Sequence, residues 1–331
     1  MNAAINIQGS EFLNRRGRNA DFFTFTPHRI GSEMTEYCDS AGLEALDPRI
    51  DVAAAMAISG AAVSSNMGRN SVRPLALTLT MLNLRLGYWL PNPRYVAPAN
   101  DGERPRLRDW FKSAVYFASE AFGLLDERMS DIYLTDGGHI ENLGLYQLLK
   151  RRCKLIVVVD GEQDGDYGFS SLVALQRFAR IDLGVRIHLP WEEVRDSAKM
   201  VDAMMSNGAL PANFDAKGKH VAVGEIDYGE GAGQKGLLVY VKASLSGDEN
   251  DYILDYKRRY PAFPHETTGD QFFSEEQFEA YRALGFHAMN GFLKGTTPFA
   301  GEPARPPYDP LTDQERLTET RLCEVRAFLG A

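Results

Sequence analysis

The chain of 331 residues is long enough to bury a sizeable core, and its 44% hydrophobic and 24% charged residues exclude global disorder. A net charge of -9 leaves no basic field to neutralise a phosphate backbone, so nucleic acid is excluded as an expected partner. The three cysteines, Cys38, Cys153 and Cys323, are odd in number and widely spaced, which reads as reduced thiols in a cytosol-like compartment.

Taken in chain order, residues 1–50 show little periodicity and read as irregular, apart from one strand ending near Pro27. An Ala-rich helix follows from Asp51, broken at Ser59-Gly60 and again near 66–68. Ser71 is placed to cap a buried apolar helix running to Leu86. The whole apolar run, 75–90, is interrupted by Thr78, Thr80, Asn83 and Arg85, and it falls short of a membrane span. Tyr88 and Trp89 at its end suit either a core or an interface. No signal peptide is visible at the start, so the expected location is cytoplasmic or membrane-associated.

Residues 107–122 carry Trp110, Val115, Phe117 and Phe122 near helical spacing, predicting a packing helix. The segments 130–136, 142–153 and 154–160 then read as strand, helix and strand. Together they read as one βαβ unit of about thirty residues, with parallel strands and a right-handed crossover. A helix over 170–182 and a strand over 185–189 predict a second parallel crossover, and a further helix begins near Trp191. The runs 220–228 and 236–244 predict a hairpin at the sheet edge. Residues 297–331 form a proline-rich arm and a terminal helix after a main domain spanning 1–296.

The candidate chemistry sits at Asp136-Gly137-Gly138-His139-Ile140-Glu141-Asn142, between a strand and a helix, where open α/β sheets build sites. Two glycines permit a tight turn, and a carboxylate at a strand end can take a proton from a nucleophile. The same residues suit a local role in which Asp136 starts a turn and Glu141 or Asn142 caps the helix.

Other motifs carry less. Asp160, Glu162, Asp164, Gly165 and Asp166 imitate a calcium loop, but Ser171 occupies the position of its bidentate glutamate, and a solvated acidic loop is the simpler reading. His139 and Glu141 lack a third ligand, so no metal is expected. Gly231, Gly233 and Gly236 fit a dinucleotide fingerprint in letters only, since a strand follows them, and no cofactor is expected. Cys153 reads as an inert core thiol.

The text YLTDGGHIENLGLYQLLKRRCKLIVVVDGEQD resembles the aspartate-motif region of the patatin-like and cytosolic phospholipase A2 family. MAISGAAVSSNMG resembles the small-residue segment beneath that family's site, and FPHETTGDQFFSEEQFEAYRALG resembles the C-terminal text of its large bacterial members. The resemblance implies an α/β three-layer sandwich with a mostly parallel sheet, an edge hairpin and C-terminal helices. It also implies lipid ester hydrolysis by a Ser-Asp dyad, with Asp136 as base, Gly137, Gly138, His139 and Asn142 supporting it, and contact with a membrane surface. The sequence contains no G-x-S-x-G, whose first glycine the strained nucleophile turn requires. Ser59-Gly60 and Ser244-Leu245-Ser246-Gly247 imitate it incompletely, and Ser64 and Ser65 are weaker surrogates. The expected protein is therefore the C-terminal half of an acyl hydrolase, partnered by a missing half or by another copy. The alternative is an inactive relative serving as an interaction module.

Overall fold

The computed structural model describes residues 1–11, 18–61, 87–96, 109–206, 218–229, 235–267, 269–270 and 272–301. They fall into two compact units, Met1–Gly144 and Leu145–Ala331.

The first unit is built on a six-stranded sheet. Its strands are β1 (Asn2–Asn6), β2 (Ala20–Phe25), β3 (Arg29–Ser32), β4 (Glu36–Asp39), β5 (Tyr88–Pro91) and β6 (Asp131–Asp136), in the order β4-β3-β2-β1-β6-β5. Every neighbouring pair is antiparallel. The expected mostly parallel patatin-like sandwich is thus overturned: the fold is mixed α/β, and the sheet that carries Asp136 is antiparallel throughout. Residues 1–50, expected to be irregular, supply four of its strands. β1 lies between two neighbours with Ala3, Ala4 and Ile5 fully buried, so its text lacks the two-residue alternation of a half-buried strand. Phe23 and Phe25, two apart on β2, meet edge to face at 5.2 Å.

Helices α1 (Ser40–Leu46) and α2 (Val52–Ser59) contribute Leu43, Ala55 and Ile58 to a core shared with Ile5, Phe23, Ile132 and Leu134. Asp51 caps α2 by accepting the Ala54 N–H at 2.7 Å, and the helix stops at Ser59 as its sequence predicts. Helix α3 (Asp109–Phe122) also forms, but Phe117 and Phe122 are exposed rather than packed. Tyr88 and Trp89 lie in β5, paired with Leu134 and Tyr133. The expected 71–86 helix, the break near 66–68, and Ser64 and Ser65 lie outside the described residues.

Just after α1, Asp47 is buried and receives Arg49 through Nε at 2.8 Å and through its terminal nitrogen at 2.9 Å, with the Tyr88 hydroxyl at 2.8 Å. The Arg49 hydrogen bonds hold its carboxyl at about 2, below the ordinary 3.8. Because the folded value is the lower one, the stability this carboxylate contributes is complete above 3.8 and lost as pH falls toward 2. Urea unfolding of wild type and Asp47→Asn is expected to show a gap at pH 6 that narrows steadily below pH 4; a pH-independent gap would refute this.

The second unit has a four-stranded sheet in the order β7-β10-β9-β8, from β7 (Leu155–Asp160), β8 (Arg186–His188), β9 (Val221–Asp227) and β10 (Lys235–Lys242). Among neighbouring strands only β7 and β10 are parallel, in register from Leu155↔Leu237 to Asp160↔Lys242. The expected crossover from β6 to β7 fails because those strands belong to different sheets. The second expected crossover does form: β8 is antiparallel to β9, which is antiparallel to β10, so β8 runs parallel to β7 at the opposite edge of the same sheet, with the helix from Ser170 between them in the chain. The predicted hairpin of β9 and β10 forms, but at the centre of the sheet rather than its edge. β7 is an edge strand, with Val157 and Val159 exposed and Ile156 and Val158 buried.

The helices of this unit are α4 (Tyr146–Lys150), α5 (Ser170–Phe178), α6 (Trp191–Ser206), α7 (Asp251–Arg259) and α8 (Glu275–Lys294). α5 continues into a wider turn over Ala179–Leu183. Ser274 caps α8 by accepting the Gln277 N–H, and Gly295, in the left-handed region, ends it. Ile253, Tyr256, Phe263, Ala280 and Leu284 make the core between α7 and α8. No helix among the described residues is long and apolar enough to cross a membrane. Of the proline-rich arm, residues 297–301 are described, and the terminal helix expected after 312 lies outside them.

Candidate active site

β6 delivers Asp136 to its carboxyl end, where a single 3-10 turn over Gly137–His139 follows. The carboxylate is half-buried, and one oxygen accepts the Gly138 N–H at 2.8 Å. Its second oxygen has no hydrogen bond or ion pair among the described residues. A carboxylate fixed by one backbone donor and open on its other side is positioned to receive a proton.

Gly137 is required by close approach to backbone, and Gly138 leaves room for a neighbouring side chain. A Cβ on Gly137 would stand 2.8 Å from the Asn2 carbonyl oxygen, because β1 runs alongside with Ala3 opposite Asp136. A Cβ on Gly138 would stand 2.5 Å from the Asn142 side-chain oxygen and 3.2 Å from the Asp136 oxygen. Asn142, itself exposed, therefore closes over the turn. Gly137→Ala is expected to push the turn away from the β1 backbone, costing roughly 1–3 kcal/mol in a urea melt; a change under about 0.5 kcal/mol would contradict the packing described.

His139 is buried, with Nδ1 3.0 Å from the Thr135 hydroxyl, which also accepts Asn6 Nδ2 at 2.9 Å. It is tied to the sheet rather than offered as a metal ligand. Glu141 accepts the Leu143 N–H within the loop. The helix expected from residue 142 begins only at Tyr146, and its first position has no side-chain cap, so neither Glu141 nor Asn142 performs the expected capping.

Of the incomplete serine motifs, Ser59 is the one that reaches this strand end. Its hydroxyl donates to the Asn2 carbonyl at 2.7 Å, the same oxygen that excludes a side chain from Gly137. Ser59 nevertheless closes α2 at its C-terminal, negative pole, and its proton is committed to a backbone acceptor, whereas a nucleophile elbow puts the serine at a helix N-terminus. The Ser244–Gly247 motif belongs to the second unit.

In that second unit the acidic loop after β7 has a use that the sequence alone concealed. Asp160, Glu162 and Asp164 surround the fully buried Lys242 ammonium, with oxygens at 3.0, 3.9 and 3.2 Å. Tyr240 donates its hydroxyl to Asp160, and Phe169 lies 5.2 Å below the ammonium. The expectation of a solvated loop is corrected: Lys242 occupies the middle of the carboxylates, as a calcium ion would in the motif they imitate. Burial beside Asp160 pushes the Tyr240 phenol far above its ordinary range.

Gly231 and Gly233 lie outside the described residues, and Gly236 sits inside β10, where a strand replaces the helix a dinucleotide site demands. Cys153 is half-buried, in the turn before β7. Among the described residues, the metal-ligating side chains that do converge are His220, Glu249 and His287. The sequence reading missed them because they stand 29 and 38 positions apart, with no helical or paired spacing.

No family model, no curated protein and no solved structure matches the chain.

Proposed function

We propose that Asp136 is the general base of a serine acyl hydrolase acting on lipid esters, as the resemblance of its segment to the patatin-like and cytosolic phospholipase A2 enzymes implies. The observation that supports this most directly is the half-open carboxylate at the end of β6, anchored through one oxygen by Gly138 and unengaged at the other. In such a reaction the carboxylate takes the serine proton as the hydroxyl attacks the ester carbonyl. It then returns that proton to the leaving alkoxide, and an acyl-enzyme remains for water to cleave. The antiparallel sheet means that the reading rests on the local turn and not on a shared architecture.

The test is labelling of the native polypeptide carrying this sequence with a fluorophosphonate probe, followed by peptide mapping, beside Asp136→Ala. One labelled serine in the wild type and none in the variant is the expected result. Absence of labelling in a folded protein, or labelling equal in both, would overturn the proposal and leave the interaction-module reading in its place.

A further inference from the structure

Ser246 is fully buried, and its hydroxyl stands within hydrogen-bonding reach of four side chains at once. The distances from Oγ are 2.6 Å to Asp248 Oδ1, 2.8 Å to His220 Nε2, 3.0 Å to Glu249 Oε1 and 3.3 Å to His287 Nε2. The elements supplying them are the entry to β9, the loop after β10, and the middle of α8.

The hydrogen bonds behind this cluster orient it. Ser244 Oγ donates toward the carbonyl of Lys242 at 3.3 Å or Lys219 at 3.4 Å, so its lone pair is left to accept His220 Nδ1–H at 3.2 Å. That choice of tautomer, inferred from the hydrogen-bond pattern, aims the His220 Nε2 lone pair at the cluster centre. Glu249 is fixed by the backbone N–H groups of Ser246 and Gly247, which direct Oε1 to the same point. Three acceptor atoms, from His220, Asp248 and Glu249, therefore crowd the Ser246 hydroxyl, Asp248 Oδ1 being also 3.1 Å from His287 Nε2 and Glu249 Oε1 also accepting the Ser246 backbone N–H. A hydroxyl has a single proton and cannot serve all three.

We propose that His220, His287 and Glu249, with Asp248 completing the shell, bind a divalent transition-metal cation of the zinc class. The two-histidine, two-carboxylate set is one that zinc accepts, and bonds of about 2.0–2.2 Å around a tetrahedral ion put donor atoms roughly 3.3–3.5 Å apart. Here His287 Nε2 and Asp248 Oδ1 are 3.1 Å apart, His220 Nε2 and Glu249 Oε1 are 3.7 Å apart, and the His220, Glu249 and His287 donors all lie within 4.8 Å of one another. The ion's place is the present position of Ser246 Oγ, and the proposal requires that hydroxyl to turn aside about its Cα–Cβ bond. His220 and Glu249 have no side-chain exposure, and His287 has 24%. A shell of four protein donors in that setting holds a structural ion, joining the β9 and β10 ends to α8.

The full chain, stripped with a chelator and confirmed folded by its melt, is titrated with Zn2+ in competition with a chromophoric chelator. One ion per chain is expected, raising the melting temperature, with Co2+ giving the intense visible bands of a tetrahedral site. His287→Gln, at the partly exposed edge and so the variant best placed to fold, and Glu249→Gln should each weaken Zn2+ binding by at least 100-fold. Ser244→Ala, which removes only the support behind His220, should weaken it about 10–100-fold. Ser246→Ala should keep the one-ion stoichiometry, since the hydroxyl occupies the ion's place and is not a ligand. No stoichiometric uptake by the folded wild type, or uptake unchanged in His287→Gln and Glu249→Gln, would overturn the assignment.

Discussion

Lys242→Met is expected to destabilise the second unit by about 3–5 kcal/mol, because it strands buried carboxylates around an apolar side chain. The ammonium is fully buried and lies 3.0 Å from Asp160 and 3.2 Å from Asp164, whose side chains are themselves 1% and 11% exposed. Asp164 also receives the N–H groups of Gly168 and Phe169, so the cation sets the shape of the loop leading into α5. Removing one charge of such a group costs more than the group's net contribution to stability, since the remaining charges keep their desolvation penalty without their partner. The double variant Lys242→Met with Asp160→Asn should therefore recover at least about 1 kcal/mol relative to the sum of the singles. Trp191, whose ring lies 4.9 Å from Phe169, offers a fluorescence signal for the urea transition. A Lys242→Met midpoint within about 1 kcal/mol of wild type would show that the carboxylates do not depend on the cation.

This cluster also illustrates what the sequence discloses and what it withholds. The acidic loop is plain to read, and its resemblance to a cation-binding loop is real in residue types. Its actual cation lies some eighty positions later in the text, and only the parallel register Asp160↔Lys242 brings them together. Local propensity likewise found β6, β7, α2, α5 and α6, and the β9–β10 hairpin, because each is settled by periodicity or turn residues within one window. Pairing is not settled that way. A strand, a helix and a strand in thirty residues imply a parallel crossover only when both strands share a sheet, and here the boundary between the units falls at Gly144, between β6 and β7. The four strands within residues 1–50 are four to six residues long, and β1 and β2 are buried on both faces, so no alternation marked them. The imidazoles of His220 and His287 meet with ring centroids 5.6 Å apart, a juxtaposition made by the sheet end and α8 that no spacing rule encodes.

Asp136→Asn should separate fold from chemistry more sharply than any other single change at the candidate site. An asparagine oxygen can still accept the Gly138 N–H that holds the native carboxylate at 2.8 Å, so the turn over Gly137–His139 keeps its anchor and the melt should move by less than about 1 kcal/mol. What the amide cannot do is take a proton from a serine. Loss of a general base lowers turnover by about 10²–10⁴-fold, and in a two-residue dyad no imidazole stands between base and nucleophile to soften the loss. In esterase assays on the native polypeptide the effect should fall on kcat with KM nearly unchanged, because the amide occupies the volume of the carboxylate and alters no binding surface. Activity within threefold of wild type would remove Asp136 from the reaction and return the Asp-Gly-Gly turn to a local role. A coupled loss of activity and of stability would instead mean that the negative charge, and not its basicity, holds the strand end in place.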